Sequence, residues 1–344
     1  MGIFSLGSKD IGIDLGTSNI LVTLKGKGIV INEPSVVALD RRTNEIVAVG
    51  YEAKKMLGRT PEQIRALNPI KDGVIADFTA TQIMIENIIK KINRKYGPGK
   101  PRVVVSMPIG VTEVEERAVQ EAIISGGAKE VLLIEAPMVA AIGEGLDIAE
   151  PTGNMILDIG AGITEIAVIS MGGIVISDSI KLAGDEIDEY IIEYIKRAHG
   201  LVIGKRTAEE IKLELGCAMP VKNVKQKEIR GRDLISGLPE NRIINSEDVE
   251  RAMRPAVGKI IELVRTTMEK TPPELVSDII TEGILLTGGG ALIEGLDRVL
   301  SEVADIPVRV ATKPLECIAI GTDKVVDNLD KLKTSLINKR KRRM

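Results

Sequence analysis

Asp14 and Asp158 each end a short apolar run and open onto a glycine-bearing turn, Gly16, Thr17, Ser18 and Asn19 after the first and Gly160, Ala161, Gly162 and Ile163 after the second. A nucleoside triphosphate needs backbone N–H donors close to its phosphates, which tight turns of small residues supply, and carboxylates that hold Mg2+ through waters. Both turns meet that need. The chemistry they suggest is the binding of a nucleoside triphosphate with Mg2+, with Asp14 and Asp158 on the metal side. A third cluster, Gly288, Gly289 and Gly290 with Ala291 and Leu292, follows the apolar run 284–286 and precedes a helix-like pattern that begins at Leu292. Strand, glycines and helix in that order is a nucleotide-contact arrangement. The chain has neither G-x-x-x-x-G-K-[ST] nor G-x-G-x-x-G, so P-loop and Rossmann readings lose their main support.

The elements around these turns are written twice. Residues 11–32 give a strand ending in Asp14, a turn, a second strand over 20–24 and a third over 28–32. Residues 155–177 repeat the order, and GIVIN at 28–32 answers GIVIS at 173–177. A match at such separation predicts two similar halves facing one another. Either turn alone reads equally well as an ordinary hairpin turn. Helical periods over 80–95, 113–125, 186–198 and 246–269 alternate with β-branched runs over 103–107 and 131–134, which predicts an α/β fold with two sheets covered by helices.

At 344 residues and 44 % apolar the chain is long enough for two domains, since one core rarely grows past roughly 250–300 residues. Aromatic residues are 2 % with no Trp, which argues against stacking platforms for single-stranded nucleic acid. Two cysteines, Cys217 and Cys317, form neither a disulfide scaffold nor a C-x-x-C site. The single histidine, His199, ends an amphipathic stretch with no triad partner in view and reads as structural. No run of about 18 apolar residues predicts a membrane span, and the N-terminus lacks the order of a secretory signal. Lys339, Arg340, Lys341, Arg342 and Arg343 supply +5 of a total of −3, leaving −8 on the rest.

DLGTSN at 14–19, DIGAGITE at 158–165 and LTGGGALI at 286–293 resemble the three nucleotide-binding motifs of the actin, Hsp70 and sugar-kinase superfamily. Beyond them, KGKGIVINEPSVVA, LGRTPEQI, PIKDGVIADF, GVTEVEERAV, IEAPMVAAIG, AGDEIDEYII, RTAEEIKLELG and EKTPPELVSDI resemble the MreB family of bacterial actins over almost the whole chain. The resemblance implies an actin-like, ribonuclease H-like two-lobed α/β fold with a nucleotide cleft between duplicated lobes. The first lobe would comprise 1–32, 78–144 and 314–338 with a small subdomain at 33–77. The second would comprise 145–181 and 246–313 with a small subdomain at 182–245, and 339–344 would be a basic tail. By similarity Asp14 and Asp158 organise Mg2+, Thr17, Ser18 and Asn19 grip phosphates, and Gly289 to Leu292 lie near the adenosine. Glu209, Glu210, Ile211 and Lys212 complete the nucleoside pocket, and Glu135 orients the attacking water as the catalytic carboxylate. For Glu209 and Lys212 the structural alternative is an exposed i,i+3 ion pair.

Ala161 and Ile163 stand where the family pattern has glycine and threonine. Ile163 cannot hydrogen-bond a water, so ATP hydrolysis is expected to be slow while binding through backbone amides survives. The resemblance implies a cytoplasmic filament of paired protofilaments, peripheral on the inner face of the cell membrane. Its partners would be other copies of itself, anionic inner-membrane lipids and cell-wall elongation membrane proteins, and its role the organisation of peptidoglycan synthesis in rod-shaped cells. No specific nucleic acid is expected. Val325, Leu329, Leu332 and Leu336 form one helical stripe, which a core-packing helix explains, before a basic run that suits an anionic leaflet, and Ile3, Phe4 and Leu6 are a small apolar set for a lipid interface. The alternative is a monomeric small-molecule kinase of the same superfamily. A chaperone-type ATPase would carry a long peptide-binding region after the third motif.

Overall fold

The structure, a computed structural model, describes residues 9–329. Ile3, Phe4, Leu6, Leu332, Leu336 and the basic run 339–343 lie outside the described residues. The described residues form two compact units, 9–147 with 316–329, and 148–315.

The first unit carries β1 (Asp10–Leu15), β2 (Asn19–Leu24), β3 (Gly28–Pro34), β4 (Val37–Asp40), β5 (Ile46–Val49), α1 (Tyr51–Met56), β6 (Ile64–Leu67), β7 (Ile70–Lys71), β8 (Val74–Ile75), α2 (Phe78–Tyr96), β9 (Arg102–Met107), α3 (Glu113–Ser125), β10 (Glu130–Glu135) and α4 (Ala136–Glu144). The second carries β11 (Asn154–Ile159), β12 (Thr164–Ser170), β13 (Gly173–Ile180), α5 (Gly184–His199), β14 (Leu201–Val202), α6 (Lys205–Leu215), β15 (Gln226–Asp233), β16 (Pro239–Asn245), α7 (Ser246–Lys270), α8 (Pro273–Glu282), β17 (Ile284–Thr287), α9 (Leu296–Ala304) and β18 (Val308–Val310). The chain then returns to the first unit as α10 (Cys317–Asp327).

The internal repeat is a repeat of topology. The main sheet of the first unit has the order β10-β9-β1-β2-β3 and that of the second β18-β17-β11-β12-β13. In each, two antiparallel hairpins are followed by a parallel pairing of the first strand, and that partner pairs parallel with a further strand. Even the irregularities correspond. Val22 faces Ile31 and Thr23 faces Ile29, skipping Val30, while Val168 faces Ile176 and Ile169 faces Ile174, skipping Val175. Both bulges fall on the third residue of the GIVI repeat, where one extra residue bends the strand.

β9 shows why the apolar runs read as buried strands. Val103 and Val105 point into a core built with Ile85, Ile88 and Ile123 of α2 and α3, and Val104 points into a second cluster with Val325, Val326 and Leu329. A strand covered on both faces cannot alternate with polar residues. In the second unit Leu157, Ile166, Val168 and Leu286 pack against Ile187 and Ile191 of α5 and Ile260 and Val264 of α7. The helix ends follow their caps. Asp77 accepts from the N–H of Ala80 at 2.9 Å, and Thr112 with Glu115 and Asn245 with Asp248 form capping boxes, each holding two otherwise unsatisfied N–H groups.

α4 and α10 touch backbone to backbone. A Cβ on Gly321 would lie 1.9 Å from the Val139 carbonyl oxygen, and one on Gly143 would lie 2.0 Å from that of Cys317. Only glycine lets two helices approach this closely. Gly321→Ala is therefore expected to lower the stability of the first unit by about 2 kcal/mol, the usual scale for overpacking. Urea denaturation measures it, and an unchanged midpoint would show that the two helices separate at no cost.

Candidate functional site

β1, β9 and β10 run parallel, so their C-terminal ends share one edge of the sheet. That edge is where open α/β sheets place ligands. Asp14 lies opposite Ser106, and Ser106 opposite Ile134. The Ser106 hydroxyl donates to Asp14 Oδ1 at 3.2 Å. Burial pushes the Asp14 carboxyl up to about 6, and the Ser106 hydrogen bond only partly opposes it. Glu135, one residue past this row, is exposed at the start of α4, and its side chain makes no cap hydrogen bond.

The turn after Asp14 is held by its carbonyls. Ser35 donates from its hydroxyl to the Gly16 oxygen at 2.7 Å and from its N–H to the Ser18 oxygen at 2.9 Å, and Asn68 reaches the Thr17 oxygen at 3.4 Å. In a trans peptide the N–H points opposite to the C=O, so this leaves the following amides directed away from those partners. A Cβ on Gly16 would meet the Asn19 oxygen at 2.5 Å, which requires glycine there. Thr17 is buried and its hydroxyl oxygen accepts from the Gly73 N–H at 3.0 Å. Asn19 donates to Asn32 at 2.9 Å, and the Ser18 hydroxyl donates to Asn19 at 3.3 Å. The side chains of Thr17 and Asn19 thus brace the turn, which leaves its backbone N–H groups as the donors it can offer an incoming acceptor.

In the second unit Asp158 is buried opposite Thr287 of β17 and Glu165 of β12. The turn closes with the Gly160 N–H on the Ile163 oxygen at 3.0 Å. The α5 N–H groups of Gly184 and Asp185 bond the oxygens of Gly160 and Ala161 at 3.2 and 2.7 Å. Ala161 has no positive φ, so its methyl is compatible with the turn. Ile163 is half-buried, and the neighbouring Thr164 is fully buried with its hydroxyl donating to the Leu182 oxygen at 2.6 Å. Thr164 therefore does not replace the hydroxyl that Ile163 lacks.

Gly288 has φ +81°, and a Cβ there would lie 2.3 Å from the Ile159 oxygen and 2.6 Å from Asp158 Oδ1. A Cβ on Gly290 would lie 2.2 Å from the Ile159 side chain. Gly288 and Gly290 are glycine because they lie against the end of β11. The helix expected from Leu292 does not start there: Gly289–Leu292 form one 3-10 turn, Ile293 is extended, and α9 begins at Leu296 after Gly295 at φ +80°. A left-handed glycine cannot sit inside a right-handed helix, which delays the start.

α6 corrects one expectation and excludes one alternative. Ile211 is fully buried in the core, so its side chain is unavailable to a ligand. Lys212 does not form the exposed i,i+3 pair with Glu209: its ammonium donates to the Gly184 oxygen at 2.7 Å and pairs with Asp188 at 2.9 Å. Glu210 pairs with Arg206 at 3.0 Å, and Ala291 is buried while Leu292 is exposed. Sequence reasoning assigned no role to Ser35, Asn68, Gly73, Ser106 and Asp188, which act by holding backbone or a carboxylate, although Ser35, Gly73 and Asp188 fall within the family-like segments.

Among the described residues no cluster of three His, Cys, Asp or Glu side chains is arranged for a metal. One carboxylate with water and phosphate oxygens is the usual donor set of Mg2+, and a carboxyl held up to about 6 by burial at Asp14 is suited to a cation's charge.

The family description "MreB/Mbl protein" matches residues 8–334. The chain belongs to the MreB/Mbl family. It is 52 % identical over 325 residues to the cell shape-determining protein Mbl of Bacillus subtilis, covering 94 % of this chain and 98 % of that one. It is 49 % identical over 328 residues to the cell shape-determining protein MreB of Escherichia coli K12, covering 94 % of each. Among solved structures, MreB5 of Spiroplasma citri bound to ADP superposes with a TM-score of 0.90 at 38 % identity, covering 94 % of this chain and 99 % of that chain. The same MreB5 has been solved with AMPPNP. MamK in a double helical filament superposes at 0.79 with 22 % identity, covering 93 % of this chain and 99 % of that one, and shares the fold. The actin-like fold of this MreB/Mbl family member thus stands on both sequence and structure.

Proposed function

We propose that this MreB/Mbl family member binds ATP with Mg2+ and polymerises into filaments that maintain rod cell shape by organising peptidoglycan synthesis at the membrane. The observation that carries the reading is the repeated strand end. Asp14 with the turn 16–19 and Asp158 with the turn 160–163 occupy the same place in two sheets of the same topology, and in the second unit Gly288 and Gly290 lie against Asp158 and Ile159. The nucleotides in the MreB5 structures support it. Asp14 and Asp158 would hold Mg2+, which neutralises phosphate charge. The amides of 16–19, 160–163 and 288–292 would take up the nucleotide, with Glu209 and Glu210 on the nucleoside side. Glu135 would act as general base on the attacking water. With isoleucine at 163 and the Thr164 hydroxyl turned to Leu182, turnover would be slow. The large and small subdomains set out for each lobe belong to the same proposal.

No described helix is long and apolar enough to cross a membrane. Val325 and Leu329 are buried around Val104, which gives the first half of the C-terminal stripe a packing role. We assign lipid attachment to the basic run 339–343, on the ground that each cation near an anionic leaflet contributes about 1 kcal/mol. Mixing the chain with Mg-ATP and anionic liposomes should give filaments on the vesicles by negative-stain electron microscopy. Truncation after Asn338 should leave filaments off the vesicles. Dispersed monomers in every nucleotide state would overturn the filament reading in favour of a small-molecule kinase.

A further inference from the structure

The turn 160–163 is held by α5, and α5 is in turn held by a pair of side chains that neither motif nor spacing announces. The oxygens of Gly160 and Ala161 accept from the first N–H groups of α5, at Gly184 and Asp185. The Gly184 oxygen accepts from the Lys212 ammonium at 2.7 Å, and that ammonium pairs with Asp188 one turn further along α5 at 2.9 Å. Both side chains are largely enclosed, with 14 % of Lys212 and 10 % of Asp188 exposed. The space is filled: a single carbon added at Gly184 would come within 3.2 Å of the Lys212 ammonium and 3.4 Å of the Gly160 oxygen.

We propose that the Asp188–Lys212 pair positions the phosphate turn 160–163 through Gly184, so that Asp188 is a positioning residue for polyphosphate binding although it touches no ligand. The inference rests on the nucleotide reading above and deepens it. Peptide geometry gives the reason. With the Gly160 and Ala161 oxygens fixed on α5, the N–H groups of Ala161 and Gly162 are aimed away from α5, and an acceptor arriving there finds donors already oriented. The pair removes the freedom of the first turn of α5 to shift, and with it that of the amides it anchors. Burial pushes the Asp188 carboxyl up to about 6 against the pull of Lys212, so the charged pair persists at pH 8.

The test separates positioning from direct nucleoside contact. Asp188→Asn and, independently, Lys212→Met are compared with the unmodified full chain at pH 8 by ligand-observed nuclear magnetic resonance with Mg-tripolyphosphate, which has no nucleoside, and with adenosine, which has no phosphate. Both variants should lose affinity for tripolyphosphate on the order of tenfold or more while adenosine binds as before. The double variant should lose little beyond the larger single loss, as expected of two groups acting as one device. Equal loss of both ligands, loss of adenosine alone, or no loss in variants whose melting shows them folded would overturn the proposal. An unmodified chain that binds neither ligand nor ATP would overturn the nucleotide reading itself, an outcome that cannot be confused with the others.

Discussion

Glu135→Gln is expected to lower the single-turnover rate of ATP cleavage by about 100-fold or more while leaving ATP affinity within about threefold. The separation of the two effects is the point. Glu135 stands at the C-terminal end of β10, past the row that joins Asp14, Ser106 and Ile134 across the sheet. Its side chain is exposed and makes no cap hydrogen bond to α4, so the amide replacement removes a base without disturbing a fold contact. A carboxylate that merely ended a strand would leave the rate untouched when changed to glutamine. Loss of a general base would abolish proton removal and spare binding, which is proposed to depend on amides elsewhere. The baseline matters, because Ile163 offers no hydroxyl and Thr164 is committed to Leu182. The measurement should follow labelled phosphate over hours with protein in excess. A rate unchanged within twofold would remove Glu135 from catalysis and point to water attack without a protein base.

The two-lobed duplication was legible because a repeat constrains types at fixed offsets. Asp14 and Asp158 each precede a four-residue hairpin turn, and GIVI recurs with its bulge at the same residue. Buried strands were legible where β-branched residues ran without alternation, as in β9. The start of α9 was not legible. Leu292 fits the apolar spacing of a helix, and nothing in that spacing says that Gly295 is left-handed. The brace around each turn was equally hidden. Ser35, Asn68 and Gly73 are separated from the turn they hold by up to 56 residues, and a serine or asparagine in a loop looks the same whether or not it bonds a carbonyl. The same applies to Lys212. Its spacing from Glu209 left a helical ion pair worth a few tenths of a kcal/mol as the alternative to a nucleoside contact. The structure instead gives it to Asp188 and Gly184 on another helix, because a long side chain reaches whichever partner the tertiary fold brings near.

Asp14→Asn is expected to move two properties in opposite directions. The Asp14 carboxyl is pushed up from the ordinary 3.8 to about 6 by burial. A raised acid means the folded chain binds this proton more tightly than the unfolded chain does, so stability falls as pH rises. The loss begins near the unfolded value, close to 4, and is complete above about 6, so the nucleotide-free protein carries the full cost at neutral pH. Two units correspond to about 3 kcal/mol, and partial exposure of the residue brings the expected figure nearer 2 kcal/mol. Asparagine carries no charge to bury. The variant should therefore melt several degrees higher than the unmodified chain at pH 7.5, and at the same temperature as it at pH 4. A divalent cation beside the carboxylate reverses the preference, since an opposite charge close by favours the ionised form. Asp14→Asn should for that reason weaken Mg-ATP binding by about 100-fold, a loss of about 3 kcal/mol, and leave little difference between binding with and without Mg2+. A destabilised variant at neutral pH would show that the Asp14 carboxylate is a structural hydrogen-bonding partner of Ser106. A stabilised variant with unimpaired Mg-ATP binding would move the metal site away from β1. Only the opposed pair of effects fits a charge that the fold buries at its own expense in order to meet a cation.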